Sequence, residues 1–158
     1  MRRLFYRFSD EAVYYRYFSP ITAMPHSRMQ AYVNVDFGDT FSIVGEIGEP
    51  GSEKLIAEGR WAKSPAAPYA DTAFIVDEAY QGRGIATFLF EYLIKLARER
   101  DMRGFTADVL ASNTAMMRVF ERAPIPVRAS LNEGIYELVM PFYEEDPAIA
   151  KGIRYSGV

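Results

Sequence analysis

The sequence predicts an α/β fold, a single mixed sheet with helices packed on it. Three observations predict it. Short alternating or apolar runs at 40–63, 72–76, 105–110, 127–131 and 135–141 read as strands. The stretches after Gly84 and Asn113 carry apolar residues at helical spacing. Helices and strands also interleave, in the order helix, helix, strand, strand, strand, helix, strand, helix, strand, strand.

The 158 residues are enough for one domain with a sizeable core. A composition of 49% hydrophobic and 25% charged residues is ordinary for a globular chain. A net charge of −3 gives no general reason to expect a nucleic-acid partner. The absence of cysteine removes disulfides, thiolate nucleophiles and cysteine metal sites, and fits a reducing cytoplasm, the expected location. With His26 as the single histidine, a multi-histidine centre is excluded and no metal is expected. No apolar run reaches membrane-spanning length, so no membrane partner is expected. The opening MRRLFYRFSDEAVYYRYF lacks the continuous apolar core and cleavage site of a secretory signal.

Each element has a local reason. Ser9-Asp10-Glu11 can cap a helix to about Phe18, which Ser19-Pro20 ends. Pro25 suits the first turn of a second helix over His26 to Val33. Residues 40–63 read as a hairpin around Gly48-Glu49-Pro50-Gly51-Ser52. Residues 64–68 form a loop, and Thr72 to Val76 a short apolar strand. The next helix places Ile85, Phe88, Leu89, Tyr92, Leu93 and Leu96 on one face. Phe105 to Leu110 is a strand, and Ser112-Asn113 caps a helix that Pro124 and Pro126 stop. Asn132-Glu133-Gly134 then turns the last hairpin.

The chemistry-bearing feature is the glycine turn between strand 72–76 and its helix. A P-loop would need a Gly-Lys-Ser/Thr ending, which is absent. A dinucleotide turn is a weak match, because Thr87 holds the third glycine's place and the strand follows an antiparallel hairpin. Gln81-Gly82-Arg83-Gly84-Ile85-Ala86 does match Gln/Arg-x-x-Gly-x-Gly/Ala. That motif resembles the pyrophosphate loop of the GCN5-related N-acetyltransferases, and the resemblance spans roughly Thr40 to Phe142. The physics suits an anion. Helix-start amides lack intrahelical partners beside the positive end of the dipole, glycine lets backbone approach closely, and Arg83 can add a charge-assisted contact.

Three longer stretches, LFYRFSDEAVYYRYFSP, MPHSRMQAYVNVDF and ADTAFIVDEAYQGRGIA, are similar to the acetyltransferase domain of bacterial Pat-type protein lysine acetyltransferases. This likeness covers nearly the whole chain to Phe142. It implies a mostly antiparallel sheet with helices on both faces, acetyl-CoA as co-substrate and a primary amine as acceptor. That amine would be a protein lysine, for example on an acyl-CoA synthetase, or else a small molecule. The backbone of Phe74, Ile75 and Val76 would pair with the pantetheine arm. Gln81, Gly82, Arg83, Gly84, Ile85, Ala86 and Thr87 would hold the pyrophosphate, and Asn113 would lie near the coenzyme arm. Asp71 occupies the position of the relatives' glutamate base, with a shorter arm. A base is needed because a lysine amine, with a solution pKa of about 10.4, is protonated at neutral pH.

The chain also departs from its relatives. Phe120 stands where many carry a tyrosine that protonates the departing thiolate, so either the thiolate leaves unassisted or another donor serves. Arg122-Ala123-Pro124-Ile125-Pro126 replaces a Gly-Phe continuation. Asp71 and Phe120, which both depart from the relatives' pattern, keep a non-catalytic acyl-CoA-binding or regulatory module as a second reading. Trp61 and the tyrosines of the first helix are core or acceptor-groove candidates, and His26 caps or packs near a helix start. Glu46 and Glu58 are read as a solvated strand face or as facing an acceptor lysine, and Asp77 and Glu78 as exposed. The family's first strand is expected to be absent, leaving an edge for residues 147–158 or a partner subunit, such as a second copy, to cover. Residues 1–142 are read as one domain and 143–158 as a tail.

Overall fold

The computed structural model describes residue 15, residues 35–63 and residues 67–143. The expected helices before residue 34, His26, the missing first strand and the tail from residue 144 lie outside the described residues. Among the described residues six strands form one sheet in the order β1-β2-β3-β4-β6-β5. The strands are β1 (Thr40–Ile47), β2 (Lys54–Lys63), β3 (Ala70–Val76), β4 (Gly104–Leu110), β5 (Arg128–Asn132) and β6 (Ile135–Pro141). Helix α1 (Ile85–Arg98) connects β3 to β4, and α2 (Thr114–Glu121) follows β4.

Both hairpins form where turn chemistry expects them. Gly48 and Gly51 take positive φ between β1 and β2, and Glu133 and Gly134 do so between β5 and β6. Positive φ at both central residues is the turn that matches strand twist. Strand β3 begins at Ala70, two residues earlier than expected. The reason is tertiary: Ala62 and Lys63 of β2 pair with Asp71 and Ala70 and extend the ladder past a strand-poor aspartate.

The β2–β3 register sorts side chains to two faces. Ala57, Gly59 and Trp61 stand opposite Val76, Phe74 and Thr72. Trp61 is fully buried, stacks on Phe41 at 4.5 Å and donates from Nε1 to the Gly38 carbonyl at 3.1 Å. This is the core reading expected for it. Phe74, Phe90 of α1 and Phe120 of α2 close a triangle of edge-on rings, with centroids 5.1–6.1 Å apart. That triangle fastens both helices to β3.

Three expectations need correction. Helix α1 buries only part of the stripe that spacing selected, Leu89 and Leu93, with Ile85 and Leu96 packed against the core. Leu89, Phe90, Leu93, Ile94 and Ala97 are buried, while Phe88 (66% exposed) and Tyr92 (44%) face outward and stack on each other. Apolar residues cover so wide an arc that period alone does not fix which part meets the sheet. Glu58 is not solvated. It is 3% exposed, accepts from Ser42 Oγ at 2.8 Å and lies 3.9 Å from Arg60 Nη1. Asp77 is also buried, against the Lys54 ammonium at 3.5 Å. Glu46 and Glu78 are exposed as expected.

On the face away from α1, Asp108 of β4 sits directly opposite Glu137 of β6. Partial burial, then the facing Glu137 charge, raise the Asp108 carboxyl above its ordinary range. A raised folded-state pKa means that protonated Asp108 favours the fold. That contribution is complete below the ordinary aspartate pKa and is lost as pH rises through the raised value. Asp108→Asn should therefore stabilise the protein at neutral pH by about 0.5 kcal/mol, the scale of a cross-strand like-charge pair open to solvent. The gain should vanish in acid, and thermal melts at the two pH values check it.

Candidate active site

Strands β3 and β4 are parallel neighbours at only two residue pairs, Ala70 with Phe105 and Asp71 with Thr106. Beyond Asp71 the β4-facing edge of β3 has no ladder partner among the described residues. The pairing stops there, and a cleft of about 750 Å³ lies at the end of β3. Phe74, Ile75 and Val76 form one wall at the end of β3. An unpaired strand edge can take an extended ligand arm as an added strand.

The floor is the turn into α1. Asp77 Oδ1 accepts from the Ala79 amide at 3.1 Å and caps the short 3-10 turn Glu78–Tyr80. Gln81 Nε2 donates to the Val76 carbonyl at 3.0 Å, tying the turn to the end of β3. Gly82 and Gly84 have φ of 72° and 79°. In that region an ordinary residue pays about 1–2 kcal/mol, and glycine pays none. Gly84 is the N-cap of α1 and supplies no side-chain hydrogen bond, so the first helical amides are left for a ligand. Gln81, Gly82, Gly84, Ile85, Ala86 and Thr87 all line the cleft.

The far wall is α2. Asn113 caps it, its Oδ1 accepting from the Met116 amide at 3.1 Å. The same asparagine lines the cleft, as do Met116 and Val119.

Two predicted site residues do not line the cleft. Arg83 leans over the Tyr80 ring at 5.2 Å and is not among the residues that line the cleft. Asp71 is exposed near the start of β3, where the two strands still pair. It stands four residues before Ile75 on the same strand face, about 13 Å along the strand. Phe120, 1% exposed, belongs to the aromatic triangle and does not reach the cleft. Ile125, within the unusual proline segment, is buried in the core.

Sequence reasoning did not assign Arg118, Arg122 and Tyr80 to this cleft, and Tyr15 only to a general acceptor-groove group. Arg118 and Arg122 had a readable signal, since they lie at helical spacing from Ala115 and Val119. Tyr15 had none, because only the tertiary fold brings it there.

The family profile described as "Acetyltransferase (GNAT) family" matches residues 9–123. The chain belongs to the GNAT family. Its six-stranded mixed sheet with the β3–β4 parting is the GNAT fold, shared with solved relatives. The GNAT domain of S. lividans PAT superposes with a TM-score of 0.77 at 31% identity, covering 89% of this chain and 84% of that one. The acetyltransferase Pat of Mycolicibacterium smegmatis is 33% identical over 136 residues, 85% of this chain. The GNAT chain here spans 40% of that relative's length. The Salmonella typhimurium structure of yncA with acetyl-CoA has a TM-score of 0.64 at 17% identity, covering 89% of this chain and 83% of that one; it shares the fold. No helix among the described residues is long and apolar enough to cross a membrane.

Proposed function

We propose that this chain transfers an acetyl group from acetyl-CoA to a primary amine, and that the amine is a protein lysine. One observation carries the reading: a free strand edge, an uncapped glycine-led helix start and a capping asparagine meet in one cleft. In this reading residues 74–76 hold the pantetheine arm and one of their amides polarises the thioester carbonyl. The Gly82–Thr87 turn holds the pyrophosphate. The lysine acceptor, for example on an acyl-CoA synthetase, rests on the likeness to Pat. The work would be done in the cytoplasm. A homodimer, or residues 147–158, would cover the sheet edge that an absent first strand would leave.

Asp71 is the proposed base. Its strand face is that of Ile75, and the distance between them calls for proton transfer through water rather than by direct contact. The amine then attacks the carbonyl carbon, the carbon–sulfur bond breaks, and its electron pair leaves on sulfur. Phe120 cannot protonate that thiolate. We assign the donor role to Tyr15, whose side chain lines the cleft. Tyr15→Phe should lower kcat about tenfold, below the usual range for a general acid because a thiolate leaves readily, with acetyl-CoA affinity unchanged. An unchanged kcat would mean that the thiolate departs unassisted.

The deciding experiment is thiol release from acetyl-CoA with lysine-bearing proteins, then polyamines, amino acids and aminoglycosides. Turnover with a protein supports the proposal, and turnover only with a small amine transfers the acceptor assignment. The position of Asp71 outside the cleft favours one second reading, a coenzyme-binding regulatory module. Acetyl-CoA binding without turnover across the panel would support it.

A further inference from the structure

Arg118 of helix α2 and Arg122, the C-cap that follows it, stand one turn apart, and both line the cleft together with Ala115 and Val119 of the same stripe. Neither guanidinium has an ion-pair or hydrogen-bond partner among the described residues. Like charges at this spacing repel and weaken an isolated helix. The pair lines the same cleft as the glycine turn, whose amides already suit one anion. Arg83, the basic residue of that turn, is directed over Tyr80 instead. The cleft is thus lined by two kinds of positive group, the backbone amides of the turn and the guanidinium groups of Arg118 and Arg122.

We infer that Arg118 and Arg122 form a subsite for the 3′-phosphate of the coenzyme's ribose, making the protein selective for coenzyme A over forms that lack this group. The inference rests on the coenzyme A reading of the cleft. A phosphomonoester carries about −1.5 to −2 charge at neutral pH and offers three acceptor oxygens. Paired guanidinium forks match that group better than they match a pyrophosphate already held by amides. Binding relieves the repulsion between the arginines, so the subsite also stabilises α2 when filled.

Calorimetric titration with acetyl-CoA and with acetyl-3′-dephospho-CoA tests this. The unaltered chain should bind acetyl-CoA about tenfold more tightly, the low end for charge-assisted hydrogen bonds at an open site. In Arg118→Gln/Arg122→Gln the gap should close to within about twofold, through weaker acetyl-CoA binding alone. Each single substitution should close part of it, and the double lysine variant should retain part. These variants keep the test alive should the double glutamine variant not fold. Equal affinity of the unaltered chain for both coenzymes overturns the inference. So does equal weakening of both by the substitutions, which would give the arginines to the pyrophosphate or to the helix end, where cations complement the dipole. If neither coenzyme binds the unaltered chain, the coenzyme A reading itself falls.

Discussion

Asp71→Asn should lower kcat by about a hundredfold or more, the lower range for a lost general base, with acetyl-CoA affinity little changed. The separation of the two effects follows from position. Asp71 lies outside the cleft, near the start of β3, so removing its charge leaves the coenzyme walls untouched. It shares a strand face with Ile75, so a water chain along that face can link it to an amine at the thioester. Asparagine keeps the shape and removes the proton acceptor. Asp71→Glu supplies the longer arm of the relatives and should match or exceed the unaltered rate. Steady-state rates with the working acceptor, beside calorimetric acetyl-CoA affinities, check both. Full activity in the asparagine variant would remove Asp71 from the mechanism.

Phe120→Ala should cost about 3–5 kcal/mol, the range for truncating a buried phenylalanine. Phe120 is 1% exposed, and its ring contacts Phe90 edge-on at 5.1 Å and Phe74 at 6.1 Å. The alanine variant opens a cavity at the one point where α1, α2 and β3 meet. A loss of that size is a large share of a typical total of about 5–15 kcal/mol. It should lower the melting temperature by roughly 10 °C in a chain of this length. The effect should reach the cleft, because Phe74 and α2 both line it or carry residues that do. Phe120→Tyr separates packing from chemistry. The relatives' tyrosine, placed here, would bury a hydroxyl in the ring triangle, at a cost of about 1–3 kcal/mol if unpaired. Denaturant melts of the two variants decide the matter, and a tyrosine variant as stable as the unaltered chain would contradict the buried position.

Much of the candidate site could be read from the chain because its parts are local. Gly82 and Gly84 bend the backbone with φ values that other residues avoid, and both bends lie within six residues of the motif's start. Asn113 caps α2 through its own Oδ1, an interaction three residues long. The hairpin at Glu133-Gly134 is equally local. What sequence missed required a distant partner. Asp77 is buried because Lys54, at the start of β2, comes to 3.5 Å. Glu58 is buried with Ser42 of β1 as its donor.

The sequence by itself determined the order of the elements, the turns and caps, the amide-lined helix start and the family likeness. The turns, caps and helix start depend on residues within one or two helical turns of each other, where sterics and hydrogen bonding act without the rest of the fold. Only the tertiary structure decided the azimuth of α1, the burial of Asp77, Glu58 and Phe120, and the cleft itself. The cleft exists because β3 and β4 pair at two positions and then part. Tyr15, Arg118 and Arg122 meet in that one cavity. Which face of an apolar helix meets a sheet, and where two strands separate, are set by packing among residues far apart in the chain.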